Sequence, residues 1–155
     1  MTAARGAQGG EARGTPHAVT YVEVRVGARL PAVRFVNDLL ETALAAVGVD
    51  AGVAHDLTLG VAELVANVCE HEYGPGGGEV GVRLDVGADA LILTVTSDGG
   101  PFDLEGALRA AAERDPLEAL DEGGLGLPML VALFDEVRHR HEAGRGNTIT
   151  LRRAR

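Results

Sequence analysis

The chain has 155 residues, 46% apolar and 24% charged, a balance that suits one globular domain with a single sizeable core. A formal net charge of −9 argues against a binder of phosphate backbones, and 3% aromatic content leaves few platforms for stacking bases or sugars. The single cysteine, Cys69, excludes an internal disulfide and a multi-cysteine zinc site.

Residues 1–17 are rich in Gly, Ala, Arg and Thr without periodicity and are expected to form a disordered tail ahead of a domain over 18–155. The start lacks the apolar segment of a signal peptide, and no apolar run approaches the roughly 18 residues of a membrane span, so the cytoplasm is the expected compartment. Val19–Val26 alternates apolar with polar residues and reads as a half-buried strand. Pro31 suits the first turn of a helix, which Val33, Val36, Leu40 and Val47 continue at helical spacing and Gly48 can end. Asp50 is placed to cap a second helix running to about Tyr73.

GPGGG (74–78) reads as a flexible turn, followed by paired strands at Glu79–Val86 and Ala90–Ser97. A polar, alanine-rich stretch from Leu104 to Glu122 separates SDGGPFD (97–103) from GGLGL (123–127), which opens a helix ending near Phe134. Two alternating segments, Glu136–His141 and Asn147–Arg152, close the chain around a hairpin turn. This order predicts an α+β fold: one mixed, mainly antiparallel sheet with helices on one face. The repeated βαβ units of a dinucleotide fold are absent.

Three segments carry chemistry. Glu63, Asn67 and His71 recur every four residues and so share one stripe of the second helix, while Leu57, Val61, Leu64, Val65 and Val68 supply its core face. A polar trio beside a core demands partners, either a helix–helix seam or a ligand. Asn67 suits a magnesium ion that arrives with ATP, because such an ion takes only one or two protein oxygens. Glu63 suits a general base, and His71 a phosphate or nearby backbone. In SDGGPFD, glycines let a flat ligand approach the backbone, and an acid can accept from an exocyclic amine. In GGLGL, glycines precede a helix N-terminus, whose N–H groups and dipole attract phosphate. Read singly, the last two segments are better taken as an ordinary surface turn and an ordinary glycine-rich helix start.

Other residues carry less. Cys69 reads as a small core residue, His139 and His141 as part of a solvated strand rather than a metal pair, and the acidic segment Glu113–Glu122 as a lid or solvated face.

Taken in order, Glu-x₃-Asn-x₃-His, D-G-x-P-F-D, G-G-x-G-L and the final G-N-T resemble the GHKL (Bergerat-fold, histidine-kinase-like) ATPase superfamily. More narrowly, they resemble the anti-sigma-factor serine/threonine kinases, over about residues 30–152. The resemblance implies a two-layer α/β sandwich with ATP held under a short lid at 104–122. Glu63 would be the general base and Asn67 the magnesium ligand, with His71 bordering the nucleotide. Ser97, Asp98, Gly99 and Phe102 would lie at the adenine, Gly124, Leu125, Gly126 and Leu127 along the triphosphate, and Thr148 in the adenine pocket. It also implies a sigma factor and a STAS-domain antagonist as partners, with a homodimer and neither nucleic acid nor membrane.

The family pattern places an aspartate where this chain has Ser97, with Asp98 in the variable position. Neighbouring strand positions face opposite ways, so only one of the two can serve. Ser97 is the favoured reading, with a weaker hydrogen bond than a carboxylate gives. Two functions follow: an Mg-ATP-dependent protein kinase, or a binding module of the same fold with little phosphotransfer. A sensor histidine kinase fits less well, since no dimerisation helix with a phospho-acceptor histidine is visible.

Overall fold

Alternation of inward valines and leucines with outward polar residues builds the sheet. The computed structural model describes residues 20–73, 76–101, 103–113 and 126–155, with only the backbone at Gly126, Leu127 and Met129. The predicted tail, Phe102, Gly124, Leu125 and positions 114–122 of the expected lid lie outside the described residues.

Five strands form one sheet in the order β1-β2-β3-β5-β4: β1 (Thr20–Gly27), β2 (Glu79–Val86), β3 (Ala90–Ser97), β4 (Glu136–Glu142) and β5 (Gly146–Ala154). All its pairings are antiparallel, where a mixed sheet was expected. Hairpins join β2 to β3 and β4 to β5, and β3 reaches β5 only after β4 and, among the described residues, two helices. Every other residue of β3 is buried, and Val80, Val82, Leu84, Leu93, Val95, Ile149 and Leu151 form the sheet's share of the core.

The helices among the described residues are α1 (Leu30–Ala46), α2 (Ala51–His71), α3 (Leu104–Glu113) and α4 (Gly126–Leu133). Pro31 lies in the first turn of α1, and Gly48, with φ +75°, follows that helix in the left-handed conformation that glycine tolerates. Asp50 caps α2 by accepting from the backbone N–H of Gly52 (3.0 Å) and Val53 (3.2 Å). Val36, Leu40 and Leu44 of α1 and Leu57, Val61, Leu64, Val65 and Val68 of α2 cover the sheet, all at 1% exposure or less. Cys69 packs partly buried against this layer, and burial raises its thiol pKa, as befits a small core residue. At the start of the expected lid, Asp103 caps α3 through the Gly106 N–H, and Leu104 is buried. That half of the segment is therefore a docked helix. No helix among the described residues is long and apolar enough to cross a membrane.

Candidate functional site

The α2 stripe emerges at the boundary between core and solvent. Glu63 and Asn67 are half-buried, and His71, the last residue of the helix, is exposed. Asn67 donates from Nδ2 to the Glu63 carbonyl at 3.0 Å, which ties its amide to the helix and leaves Oδ1 without a hydrogen-bond partner among the described residues. Burial pushes the Glu63 carboxyl above its ordinary value, and the negative charge of Glu70 pushes the same way. A half-buried carboxyl and an amide oxygen with no hydrogen-bond partner among the described residues thus sit one turn apart.

Beyond the stripe, α2 contributes a residue that periodicity did not select. Glu72, the C-cap, turns its carboxylate toward the sheet, where Oε2 accepts hydrogen bonds from the Ser97 hydroxyl and, at 2.9 Å, from Asn147 Nδ2. Oε1 is buried and has no hydrogen-bond partner among the described residues. Burial raises the Glu72 pKa, while the two hydrogen bonds pull it back. Gly99 lies against this carboxylate: a Cβ there would stand 2.7 Å from Oε2 and 2.8 Å from the Glu72 Cβ.

Asn147 is 2% exposed and uses its whole hydrogen-bonding capacity. Nδ2 donates to Glu72 and to the Gly100 carbonyl (2.6 Å), and Oδ1 faces His139 Nε2 at 2.9 Å and His141 Nδ1 at 3.2 Å. The two histidines, expected on a solvated strand, instead hold this amide in one orientation. Among the described residues no cluster of three or more His, Cys, Asp or Glu side chains could hold a metal. An ion brought by a nucleotide needs only one or two protein oxygens, and Asn67 Oδ1 is an oxygen of that kind.

The sheet divides the remaining candidates. Ser97 is 6% exposed on the helix-facing side, following Leu91, Leu93 and Val95. Asp98 is exposed beyond the end of β3, where it accepts from the Tyr73 hydroxyl (2.6 Å) and the Glu79 N–H (3.2 Å). Those donors hold its carboxyl below the usual range, while burial and then Asp98 raise the Tyr73 phenol. Thr148 is also exposed, on the face away from the helices, opposite Thr96 and Arg140.

With Asp98 it lines an outer cleft of about 220 Å³ that includes Arg25, Glu79 and Arg145. The structure therefore corrects the place expected for Thr148, because the inward set of β5 is Asn147, Ile149 and Leu151. That signal was present in the period-2 pattern of GNTITL. Glu72 had no such signal, because it lies past the last helical turn. Gly126 opens α4 as expected, with the Leu127 backbone in its first turn.

The family model described as histidine kinase-like ATPase domain matches residues 26–153. The serine-protein kinase RsbW of Bacillus subtilis (strain 168) is 30% identical over 128 residues, covering 80% of each chain. Its namesake in Bacillus velezensis is 31% identical over 130 residues, covering 81% of each. Among solved structures, a Mycobacterium tuberculosis chain with RsbU and RsbW domains superimposes with a TM-score of 0.59 at 26% identity. That match covers 88% of this chain and 33% of that longer one. The histidine kinase domain of the Erythrobacter litoralis EL346 blue-light activated histidine kinase shares the fold, with a TM-score of 0.51 at 18% identity over 77% of this chain and 59% of that one.

Proposed function

The chain belongs to the histidine kinase-like ATPase family, and on that premise we propose that it is an Mg-ATP-dependent serine/threonine protein kinase that also acts as an anti-sigma factor. The observation that carries this reading is the pairing on α2 of a half-buried carboxyl with a raised pKa, Glu63, and an amide whose oxygen is left free, Asn67. Asn67 would hold the magnesium ion, which supplies charge neutralisation at the phosphates when bound. Glu63 accepts the proton of a serine hydroxyl as that oxygen forms its bond to the γ-phosphorus and the bond to ADP breaks. The amino end of α4, with Gly124, Leu125, Gly126 and Leu127 at or before it, is assigned to the phosphates, where backbone N–H groups and the helix dipole favour negative charge.

The protein substrate is proposed to be a STAS-domain antagonist and the sequestered partner a sigma factor, with a homodimer in the cytoplasm as the working assembly. Residues 18–155 would be the ATPase domain and 1–17 a tail. A second reading, a binding module of the same fold, is favoured by one observation: Ser97, buried beside Glu72, offers a nucleotide only a neutral hydroxyl oxygen, a weaker acceptor than a carboxylate.

Calorimetric titration with ATP, with and without magnesium, on the wild type and Asn67→Ala tests the kinase reading. Magnesium-dependent binding is expected, weakened at least tenfold in the variant, together with transfer of label from γ-labelled ATP to a STAS-domain protein. An absence of ATP binding by the wild type would overturn both readings of the nucleotide site. Binding without transfer would select the module.

A further inference from the structure

We infer that Glu72, rather than Ser97 or Asp98, is the residue that reads the base of the bound nucleotide, accepting the exocyclic amine of adenine at Oε1. The inference deepens the proposed kinase function and rests on it.

Three neighbours identify Glu72 by elimination. Asp98 has turned to the outer face, where Tyr73 and Glu79 already engage its carboxylate. The amide of Asn147 is fully committed to Glu72, Gly100 and the histidine pair, so it has no hydrogen-bonding capacity left for a ligand. Ser97 gives its proton to Glu72 and is left with a neutral hydroxyl oxygen, a weaker acceptor for an amine than a carboxylate. What remains is Oε1 of Glu72, the one carboxylate oxygen in this cluster that is buried and without a partner.

An orphaned buried acceptor is unfavourable in the free protein and calls for a donor that the described residues do not supply. An N–H group answers that need, and the amine of adenine is such a donor. The rest of the cluster positions the carboxylate for this role. Ser97 from β3 and Asn147 from β5 grip Oε2, so Oε1 is the oxygen left over. His139 and His141 fix the Asn147 amide so that it presents donors, not its oxygen, to Glu72. Gly99, lacking a Cβ, leaves the room that the carboxylate occupies. Replacement of a strand carboxylate by Ser97 is thereby offset by a carboxylate delivered from the end of the helix that carries Glu63 and Asn67. The acceptor has moved from sheet to helix.

The test compares ATP with the purine nucleoside triphosphate that lacks the exocyclic amine, by calorimetry at fixed magnesium, on the wild type, Glu72→Ala, Glu72→Gln and Ser97→Ala. The wild type is expected to prefer ATP on the order of 10- to 100-fold, as a site built around a hydrogen bond discriminates against a ligand lacking it. In Glu72→Ala the ratio should fall to near one, through loss of ATP affinity with little change for the analogue. In Glu72→Gln the one remaining oxygen is held by the Ser97 and Asn147 donors and an NH2 group faces the amine, so the ratio should again fall to near one, which covers the case in which the alanine variant does not fold. A wild-type ratio retained in both Glu72 variants would overturn the inference, as would equal tightening of both nucleotides on truncation, the mark of a plug. Loss of the ratio in Ser97→Ala alone would move the contact to Ser97. Failure of the wild type to bind either nucleotide would instead overturn the proposed function, and this inference with it.

Discussion

Replacing Gly146 by alanine should damage the sheet at the point where the candidate base pocket is built. Gly146 has φ +85°, and an added Cβ would stand 1.9 Å from the Ser97 carbonyl oxygen and 2.7 Å from the Asp98 Cα. Both obstacles are backbone, so no rotamer change relieves them. An ordinary non-bonded carbon contact is about 3.5 Å, so β5 would have to move away from β3 by more than about 1 Å. Left-handed backbone strain contributes about 1–2 kcal/mol and overpacking about 1–3 kcal/mol, a loss of roughly 2–5 kcal/mol together.

Gly144 separates the two effects. Its φ is +79°, but nothing lies within 4 Å of an added Cβ, so Gly144→Ala should show the strain alone. Urea unfolding of both variants reads the comparison directly, with Gly146→Ala expected about 1–3 kcal/mol less stable than Gly144→Ala. Agreement of the two within about 0.5 kcal/mol, the range of neutral surface changes, would refute the reasoning. Because Ser97 pairs with Asn147 across this joint, the same substitution should also weaken ATP binding under conditions where the protein remains folded.

Other substitutions probe the site. Glu63→Gln should bind ATP nearly as well as the wild type yet lose about 10²- to 10⁴-fold in phosphotransfer, the usual contribution of a general base. Since burial raises the Glu63 pKa, the acidic limb of the wild-type rate should lie above the ordinary glutamate value of about 4.3, and a variant transferring at the wild-type rate would exclude Glu63 as base. Ser97→Asp would set a second carboxylate against Glu72 Oε2, where two like charges cannot both ionise freely. Its destabilisation, read by thermal unfolding, should grow as pH rises and disappear when Glu72→Ala is added; wild-type stability at pH 8 would contradict the observed contact.

Asp98 has a lowered folded pKa, so its stabilising contribution is present above the unfolded value of about 3.9 and is lost as pH falls through the folded one. The stability deficit of Asp98→Asn should therefore be full at neutral pH and shrink below about pH 4. A deficit independent of pH would exclude the Tyr73 and Glu79 contacts as its source.

Local patterns determined most of this protein. Period-2 alternation placed all five strands, Asp50 and Gly48 marked helix ends that the backbone confirms, and the four-residue spacing of Glu63 and Asn67 put both at the boundary of the core. These features were legible because each depends on neighbours within a turn or two of chain. Tertiary structure decided what lies across elements. Strand pleat sends Ser97 and Asn147 inward and Thr148 outward, and the chain's exit from α2 brings Glu72 to Ser97, 25 residues away, and to Asn147, 75 away. Sequence periodicity carries no information about such contacts, because it ends where the helix ends. A carboxylate one residue beyond that end is seen only when helix and sheet are packed together.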